Sequence, residues 1–174
     1  MTTLAPRADC SRCAALCCIV FAFDKSEAFA VDKPAGTPCP NLGPQNRCLI
    51  HDKRETEGFT GCIGYDCAGA GQRVTQDLFG GRSWRDDLSL LQPMTDAFAD
   101  MRAAIDLEDL LAAASALPLS AADQRQLSDL QAAFTKHQPW TRKSLPTLHA
   151  SALPAKIKAF LASLKRYVAR TGAH

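Results

Sequence analysis

The distribution of cysteine constrains this chain more than any other feature. All eight cysteines of the 174-residue sequence lie between positions 10 and 67. The pattern is Cys-x2-Cys-x3-Cys-Cys, then two single cysteines, then Cys-x4-Cys, and it is formed by Cys10, Cys13, Cys17, Cys18, Cys39, Cys48, Cys62 and Cys67. We expect a segment so dense in thiols to be held together by bonds to sulfur.

Turn-forming residues dominate the same part of the sequence. Residues 1–71 are rich in glycine and proline, and their large apolar residues are few and scattered. A hydrophobic core alone would be marginal at this size. We therefore predict a small irregular domain over residues 1–71, stapled by metal–thiolate bonds. Its one predicted strand covers residues 18–23, where β-branched and aromatic residues are dense.

The remainder, residues 72–174, is predicted to be a helical region, which makes the fold class mainly α. Apolar residues recur there every three or four positions, as on the buried face of a helix. Short connections favour antiparallel packing of these helices. The first three predicted helices cover residues 72–79, 94–105 and 106–116, and Asp106 is the N-cap of the third. A fourth begins at a capping box formed by Ser120 and Asp123. After a loop at 139–146, the last predicted helix covers residues 154–170.

Thiolates are soft anionic ligands, and four of them in a tetrahedron suit Zn²⁺ or the iron of a [4Fe-4S] cluster. If residues 10–18 were helical, Cys10, Cys13 and Cys17 would lie within about 60° of one another and Cys18 would point about 100° away from Cys17. We therefore predict a first site built on Cys10, Cys13 and Cys17 and completed by a cysteine from residues 39–67. Two four-ligand centres would use all eight cysteines, whereas one centre would leave four as core residues, and we favour two centres. Zinc is favoured, because no ferredoxin spacing is present.

A histidine follows the sixth cysteine closely. His51 lies three residues after Cys48, and its imidazole is a candidate nitrogen ligand. The alternative, which we favour, is an ordinary surface histidine.

These residues resemble the CxxCxxCC (YkgJ-like) family of zinc- or iron-chelating domains. The later half of the family pattern matches Cys39-Pro40-Asn41-Leu42, then Cys48-Leu49-Ile50-His51 with Arg54, then Cys62 and Cys67. The chain departs from the pattern in having three residues between Cys13 and Cys17, His51 in place of an aromatic residue, and no Arg-Pro pair after the motif. The resemblance covers about residues 10–67 and implies a chelating site without fixing the metal.

Three classes of function follow from the cysteine pattern. The first is a metal-binding module with a structural or metal-handling role. The second is an iron–sulfur enzyme acting in protein modification, because a flagellin lysine methylase resembles the family in part. The third is a redox or metal sensor whose thiolates release the ion on oxidation. No catalytic residue can be named, because the candidate side chains are dispersed along the chain, at Asp129, His137, Ser144 and His149.

A basic stretch with an aromatic residue follows the cysteines. Arg82, Trp84 and Arg85 have the chemistry to contact a phosphate or a planar ligand. We favour a structural role, in which Trp84 packs on the core and the arginines pair with Asp86 or Asp87.

Charge is unevenly distributed along the chain. The formal net charge of +2 does not favour nucleic acid, but residues 136–174 hold eight basic residues and no carboxylate side chain. The basic C-terminal helix is therefore a candidate surface for an acidic protein or a polyanion, although the solvated face of a core helix is the commoner explanation. No apolar run approaches a membrane span and no secretory signal is recognisable, so we expect a cytoplasmic protein whose thiols stay reduced.

Overall fold

The computed structural model describes residues 8–167, and this part of the chain is mainly helical. Its extended segments form isolated β-bridges, Phe23 with Lys33 and Leu42 with Cys48. The mainly α fold class is thereby confirmed. The chain divides into two compact units, Met1–Arg102 and Ala103–His174. The division lies 31 residues beyond the predicted boundary at residue 71, and that boundary, drawn on composition, stays a prediction.

The cysteine-rich part of the first unit consists of short turns. It has 3₁₀ turns at Cys10–Arg12, His51–Lys53 and Thr60–Cys62 and one short helix, α1, at Cys17–Val20. The predicted strand over residues 18–23 is therefore wrong. A short apolar run does not distinguish a strand from a helical turn by periodicity, and here Ile19 is fully buried within α1. Residues 10–18 are not one helix either, because Ala15 has a φ of 60° between the two turns.

A longer helical segment completes this unit. Helix α2, Ala70–Arg73, runs into a π-helical turn at Val74–Leu78. Gly80 and Gly81 end it with φ angles of 62° and 80°, a left-handed backbone that glycine adopts without strain. The predicted helix over residues 72–79 and its glycine stop are confirmed.

Helix α3 spans Leu91–Ala114 without interruption. The sequence predicts two helices here, the second one capped by Asp106, and that prediction is wrong. Asp106 lies inside the helix, where strong helix formers such as alanine, leucine and methionine surround it. Pro93 lies in the first turn, where its missing N–H costs no intrahelical hydrogen bond.

The second unit contains α4 at Ala121–Thr135, α5 at Ser144–Ala150 and α6 at Leu153–Ser163. The serine N-cap is confirmed, since the Ser120 hydroxyl accepts a hydrogen bond from the Asp123 N–H at 3.2 Å. The return bond of a capping box is not formed, because the Ser120 N–H donates to the Tyr167 hydroxyl at 3.1 Å. The loop predicted over residues 139–146 is wrong at its end, where α5 begins. Of the predicted final helix, Val168 and Arg170 lie outside the described residues.

Each unit has its own buried side chains. Fully buried in the first unit are Leu16, Ile19, Val74, Met94, Phe98 and Met101, and in the second Leu145, Leu148 and Ile157. Within residues 8–167 no helix is both long enough and apolar enough to cross a membrane.

Candidate metal centre

The eight cysteines all belong to the first unit and all are free thiols. Cys10 is exposed and the other seven are partly exposed. Cysteine that serves as a small hydrophobic residue is among the most buried residue types. A core-packing role therefore does not account for these side chains.

Four of the thiols form what we call the first thiol group, which comprises Cys10, Cys13, Cys17 and Cys67. Cys17 and Cys67 both interact electrostatically with Cys10 and with Cys13. All four line one cavity of about 550 Å³. The sequence predicts that Cys10, Cys13 and Cys17 are joined by a cysteine from residues 39–67, and two cysteines of that segment, Cys48 and Cys67, line the same cavity.

A second thiol group comprises Cys17, Cys39, Cys48 and Cys62. Cys62 interacts electrostatically with Cys39, Cys17 and Cys48, and Cys39 interacts with Cys48 and Cys17. The bridge between Leu42 and Cys48 holds this loop in register. Cys17 thus belongs to both groups.

Cys18 lines the same cavity as the first thiol group and interacts with two further side chains. Its thiol is hydrogen-bonded to that of Cys17, and it interacts electrostatically with the ammonium group of Lys33. Cys18 is not among the cysteines that interact most strongly with Cys39 and Cys62. Six of the eight cysteines line one cavity, and the Cys39 N–H, from outside this set, donates to the carbonyl of Cys18 at 2.9 Å.

Five of the thiols have a raised pKa, which favours their protonated form when no cation is present: Cys10, Cys13, Cys17, Cys39 and Cys62. Burial raises the pKa of the Cys13 thiol to about 11, and it also raises the pKa of Cys10, Cys39 and Cys62. The pKa of Cys17 is raised chiefly by its hydrogen bond with Cys18 and then by burial. A bound divalent cation reverses this balance, because it favours the thiolate directly.

Basic side chains lie near the thiols: Arg47 lines the cavity, and Lys33 and Arg54 interact electrostatically with cysteines. The Nζ of Lys33 donates hydrogen bonds to the carbonyls of Ile19, Pro34 and Thr37 at 3.0, 3.0 and 2.7 Å, and the residue is only 3 % exposed. Arg54 donates to the carbonyl of Cys62 at 3.2 Å. Burial lowers the pKa of Lys33, while Cys39 and Cys18 act to raise it.

Arg54 also interacts electrostatically with Cys10 of the first thiol group and with Cys62 of the second. Sequence reasoning noticed Arg54 only as part of the family pattern and missed Lys33. An isolated lysine in a polar loop gives no signal of burial, which here results from three backbone carbonyls that converge in space.

The helix that follows Cys67 approaches the first thiol group closely. A Cβ atom on Gly71 would overlap the Sγ atom of Cys13, so only glycine leaves room for this thiol. The sequence treats Gly71 as a turn former, whereas the structure places it inside α2, where close approach explains it.

His51 lies at the same cavity as the first thiol group. Its Nδ1 is 3.0 Å from Oδ1 of Asp52, and its side chain is 53 % exposed. A carboxylate on one ring nitrogen is the usual outer partner of a histidine that binds metal through the other. The neighbouring Asp52 is 98 % exposed, which equally fits a surface pair.

Among residues 8–167 no three cysteine, histidine or carboxylate side chains stand at the spacing of a formed metal site. The thiols converge without the short separations that a bound ion imposes. The donor set nevertheless fits a thiophilic metal, because six cysteines line the cavity and the backbone at Gly71 leaves room for one of them.

The arginine and tryptophan stretch has the structural role favoured above. Trp84 is 5 % exposed, and its Nε1–H donates to the carbonyl of Ala14 at 2.8 Å. Arg82 pairs with Asp87 at 2.9 Å. Arg85 stacks on Trp84 and donates to Asn46 at 2.9 Å. These residues support the loops around the cavity.

Comparison with known proteins gives one informative match. The chain is similar to the uncharacterized protein YybG of Bacillus subtilis (strain 168). The two sequences are 34 % identical over 174 aligned positions, which cover 96 % of this chain. The chain spans 60 % of the length of this curated relative. No family model matches the chain, and no solved structure matches it.

Proposed function

We propose that this chain binds metal ions through cysteine thiolates and serves as a structural or metal-handling module. The observation that carries the proposal is one cavity lined by six of the eight free thiols, those of Cys10, Cys13, Cys17, Cys18, Cys48 and Cys67. These thiols come from segments as distant as Cys10 and Cys67, so the fold brings them together.

Zn²⁺ is the proposed metal. It accepts four thiolates in a tetrahedron without redox change, and each thiol group offers four sulfurs. Bound zinc would hold the thiols as anions and join loops that have little apolar core of their own. The resemblance to the CxxCxxCC family supports the same chemistry.

A [4Fe-4S] enzyme is the second candidate. The cavity of about 550 Å³ has room beyond a single ion, and Gln72, Asn46 and Phe98 line it together with the thiols. A sensor whose metal-bound thiolates release the ion on oxidation is the third candidate.

The cytoplasm is the proposed location, and an acidic protein or polyanion is the proposed class of partner. The free state of all eight thiols supports a reducing compartment. Lys156 and Lys158 on α6 are exposed, which supports the proposed contact with an acidic partner.

Elemental analysis of anaerobically purified protein tests the proposed function. We expect two zinc ions per chain in the wild type, and fewer in Cys13→Ser and in Cys62→Ser, which remove a thiolate from different groups. Ser11→Ala is the matched control, because Ser11 lines the same cavity with a hydroxyl group, and it should keep both ions. Iron with matching acid-labile sulfide would support the enzyme instead, and protein without metal would refute both candidates.

A further inference from the structure

The turn between Cys13 and Cys17 has an unusual backbone conformation. Ala15 has a φ of 60°, in the left-handed region that residues other than glycine seldom adopt. Cys13, Ala15 and Cys17 all line the cavity, so the chain reverses at Ala15 with a thiol of the cavity on either side. A conformation of this kind persists only where the surrounding structure holds it.

The peptide groups on both sides of Ala15 are fixed by hydrogen bonds. The Ala14 N–H donates to Oγ1 of Thr75 at 3.0 Å, and the Ala14 carbonyl accepts from Nε1 of Trp84 at 2.8 Å. The side chains of Thr75 and Trp84 are both buried. On the other side, the Ala15 carbonyl accepts from the Cys18 N–H at 3.0 Å, where α1 begins. Side chains that are distant in the sequence therefore hold the left-handed residue in place.

The Thr75 hydroxyl also joins this turn to the neighbouring helix. It donates a hydrogen bond to the carbonyl of Gly71 at 2.8 Å, and Gly71 is the residue that leaves room for the Cys13 sulfur. Thr75 lies in the π-helical turn that follows α2, and such turns occur frequently at functional sites. One buried hydroxyl thus links the backbone beside Cys13 to the helix against which the Cys13 thiol packs.

Resting on the proposed function, we propose that Thr75 is a positioning residue for the metal centre. Its hydroxyl holds Ala15 in the left-handed conformation that directs Cys13 and Cys17 to the same ion. Thr75 is not among the residues that line the cavity, so it acts through the backbone of the turn. Partners of this outer kind orient metal ligands and contribute to metal affinity without touching the ion.

Zinc affinity of the full chain tests this role, measured anaerobically by competition with a chromophoric chelator and with Zn²⁺ as the only added metal. Thr75→Val keeps the shape of the side chain and removes the hydroxyl, and we expect it to bind zinc about 10–100-fold more weakly than the wild type. Thr75→Ser keeps the hydroxyl and should bind as the wild type does. Thr95→Val is the matched control, because the Thr95 hydroxyl donates to the Gln92 carbonyl within α3, and it should also keep its affinity.

The turn itself separates positioning from a general loss of stability. Glycine adopts a left-handed φ without strain, so adding Ala15→Gly to Thr75→Val should restore part of the lost affinity. In the zinc-loaded wild type, the Ala14 amide should be protected from hydrogen exchange measured by NMR, a result that does not depend on the folding of any variant.

The possible failures are distinguishable. Equal zinc affinity in Thr75→Val and the wild type, a loss that Ala15→Gly leaves unchanged, or an unprotected Ala14 amide would each overturn the positioning role and leave the metal-binding function standing. A wild type that binds no zinc would overturn both.

Discussion

Gly71 is the residue at which backbone packing and the first thiol group meet. In Gly71→Ala the new methyl group would overlap the Sγ atom of Cys13 inside a buried part of α2. Either the helix or the thiol must move, and overpacking of this kind costs about 1–3 kcal/mol of stability. We therefore expect Gly71→Ala to lower the free energy of unfolding and to weaken metal binding at least about tenfold, by competition with a chromophoric chelator.

Gly64→Ala is the matched control, because a Cβ atom on Gly64 meets nothing within 4 Å. It should bind metal as the wild type does. Equal metal affinity in Gly71→Ala and Gly64→Ala would show that Cys13 is not held at this position in the metal-bound protein.

Asp123 joins the N-terminus of α4 to the chain beyond α6. Its carboxylate accepts a hydrogen bond from the Tyr167 hydroxyl. It also accepts two from the Arg166 guanidinium, at 2.7 and 2.8 Å. Hydrogen bonds from Tyr167, Arg166 and Ser120 lower the pKa of Asp123 to about 2. The folded-state pKa lies below the ordinary value of 3.8 for an aspartate, so ionised Asp123 stabilises the fold above pH 3.8.

This stabilisation should be lost as the pH falls from about 4 through about 2. We expect Asp123→Asn to unfold more easily than the wild type at neutral pH and the two proteins to converge below about pH 2. Urea unfolding followed by circular dichroism across this range measures the difference. A constant gap between the two proteins at every pH would contradict the assignment.

At the scale of elements, α6 presents the exposed side chains of Lys156 and Lys158, and Lys165 follows it. Arg166 is engaged with Asp123 and is best left unchanged. If this surface binds a polyanion, changing all three lysines to glutamine should lower the salt concentration needed for elution from a polyanion column and leave helix content unchanged. The control changes three exposed cations elsewhere, Lys25, Lys53 and Arg125, to glutamine.

Unequal elution of these two triple variants is the expected result, with the α6 variant eluting earlier. The same elution for both would mean that retention reflects net charge alone, and α6 would then be an ordinary solvated helix.

The sequence predicts elements well where one local signal decides them. The serine cap of α4 and the glycine stop after the π-helical turn depend on hydrogen bonds and φ angles within a few residues. It fails at residues 18–23 and at Asp106, where burial of Ile19 and the continuity of α3 depend on packing with distant parts of the chain.

The same distinction applies to the site. The identity of the sulfur donors can be read from the sequence, and the grouping of Cys10, Cys13 and Cys17 was expected, although the helical geometry behind that expectation is wrong. The neighbours Cys67, Lys33 and Gly71 could not be assigned from the sequence. They reach the thiols through tertiary folding, and their spacing along the sequence gives no indication of it.

At the scale of the whole molecule, the two units should depend on metal to different degrees. The cysteine-rich segment up to Cys67 has only short turns, whereas the second unit has α4, α5 and α6 with a buried core of its own. Structural Zn²⁺ contributes about 10–16 kcal/mol in small peptides, and a whole domain has a net stability of about 5–15 kcal/mol. Removing the metal is therefore expected to unfold the first segment before the second unit.

Hydrogen exchange measured by mass spectrometry on the full chain, before and after chelation under reducing conditions, checks this expectation. Peptides from residues 9–67 should lose protection, and peptides from α4 and α6 should keep most of theirs. Adding Zn²⁺ back in excess of the chelator should restore the original pattern, which separates metal loss from irreversible damage. Unchanged exchange in residues 9–67, after elemental analysis has verified metal removal, would mean that this segment folds without metal and that the thiol cluster is not a structural staple.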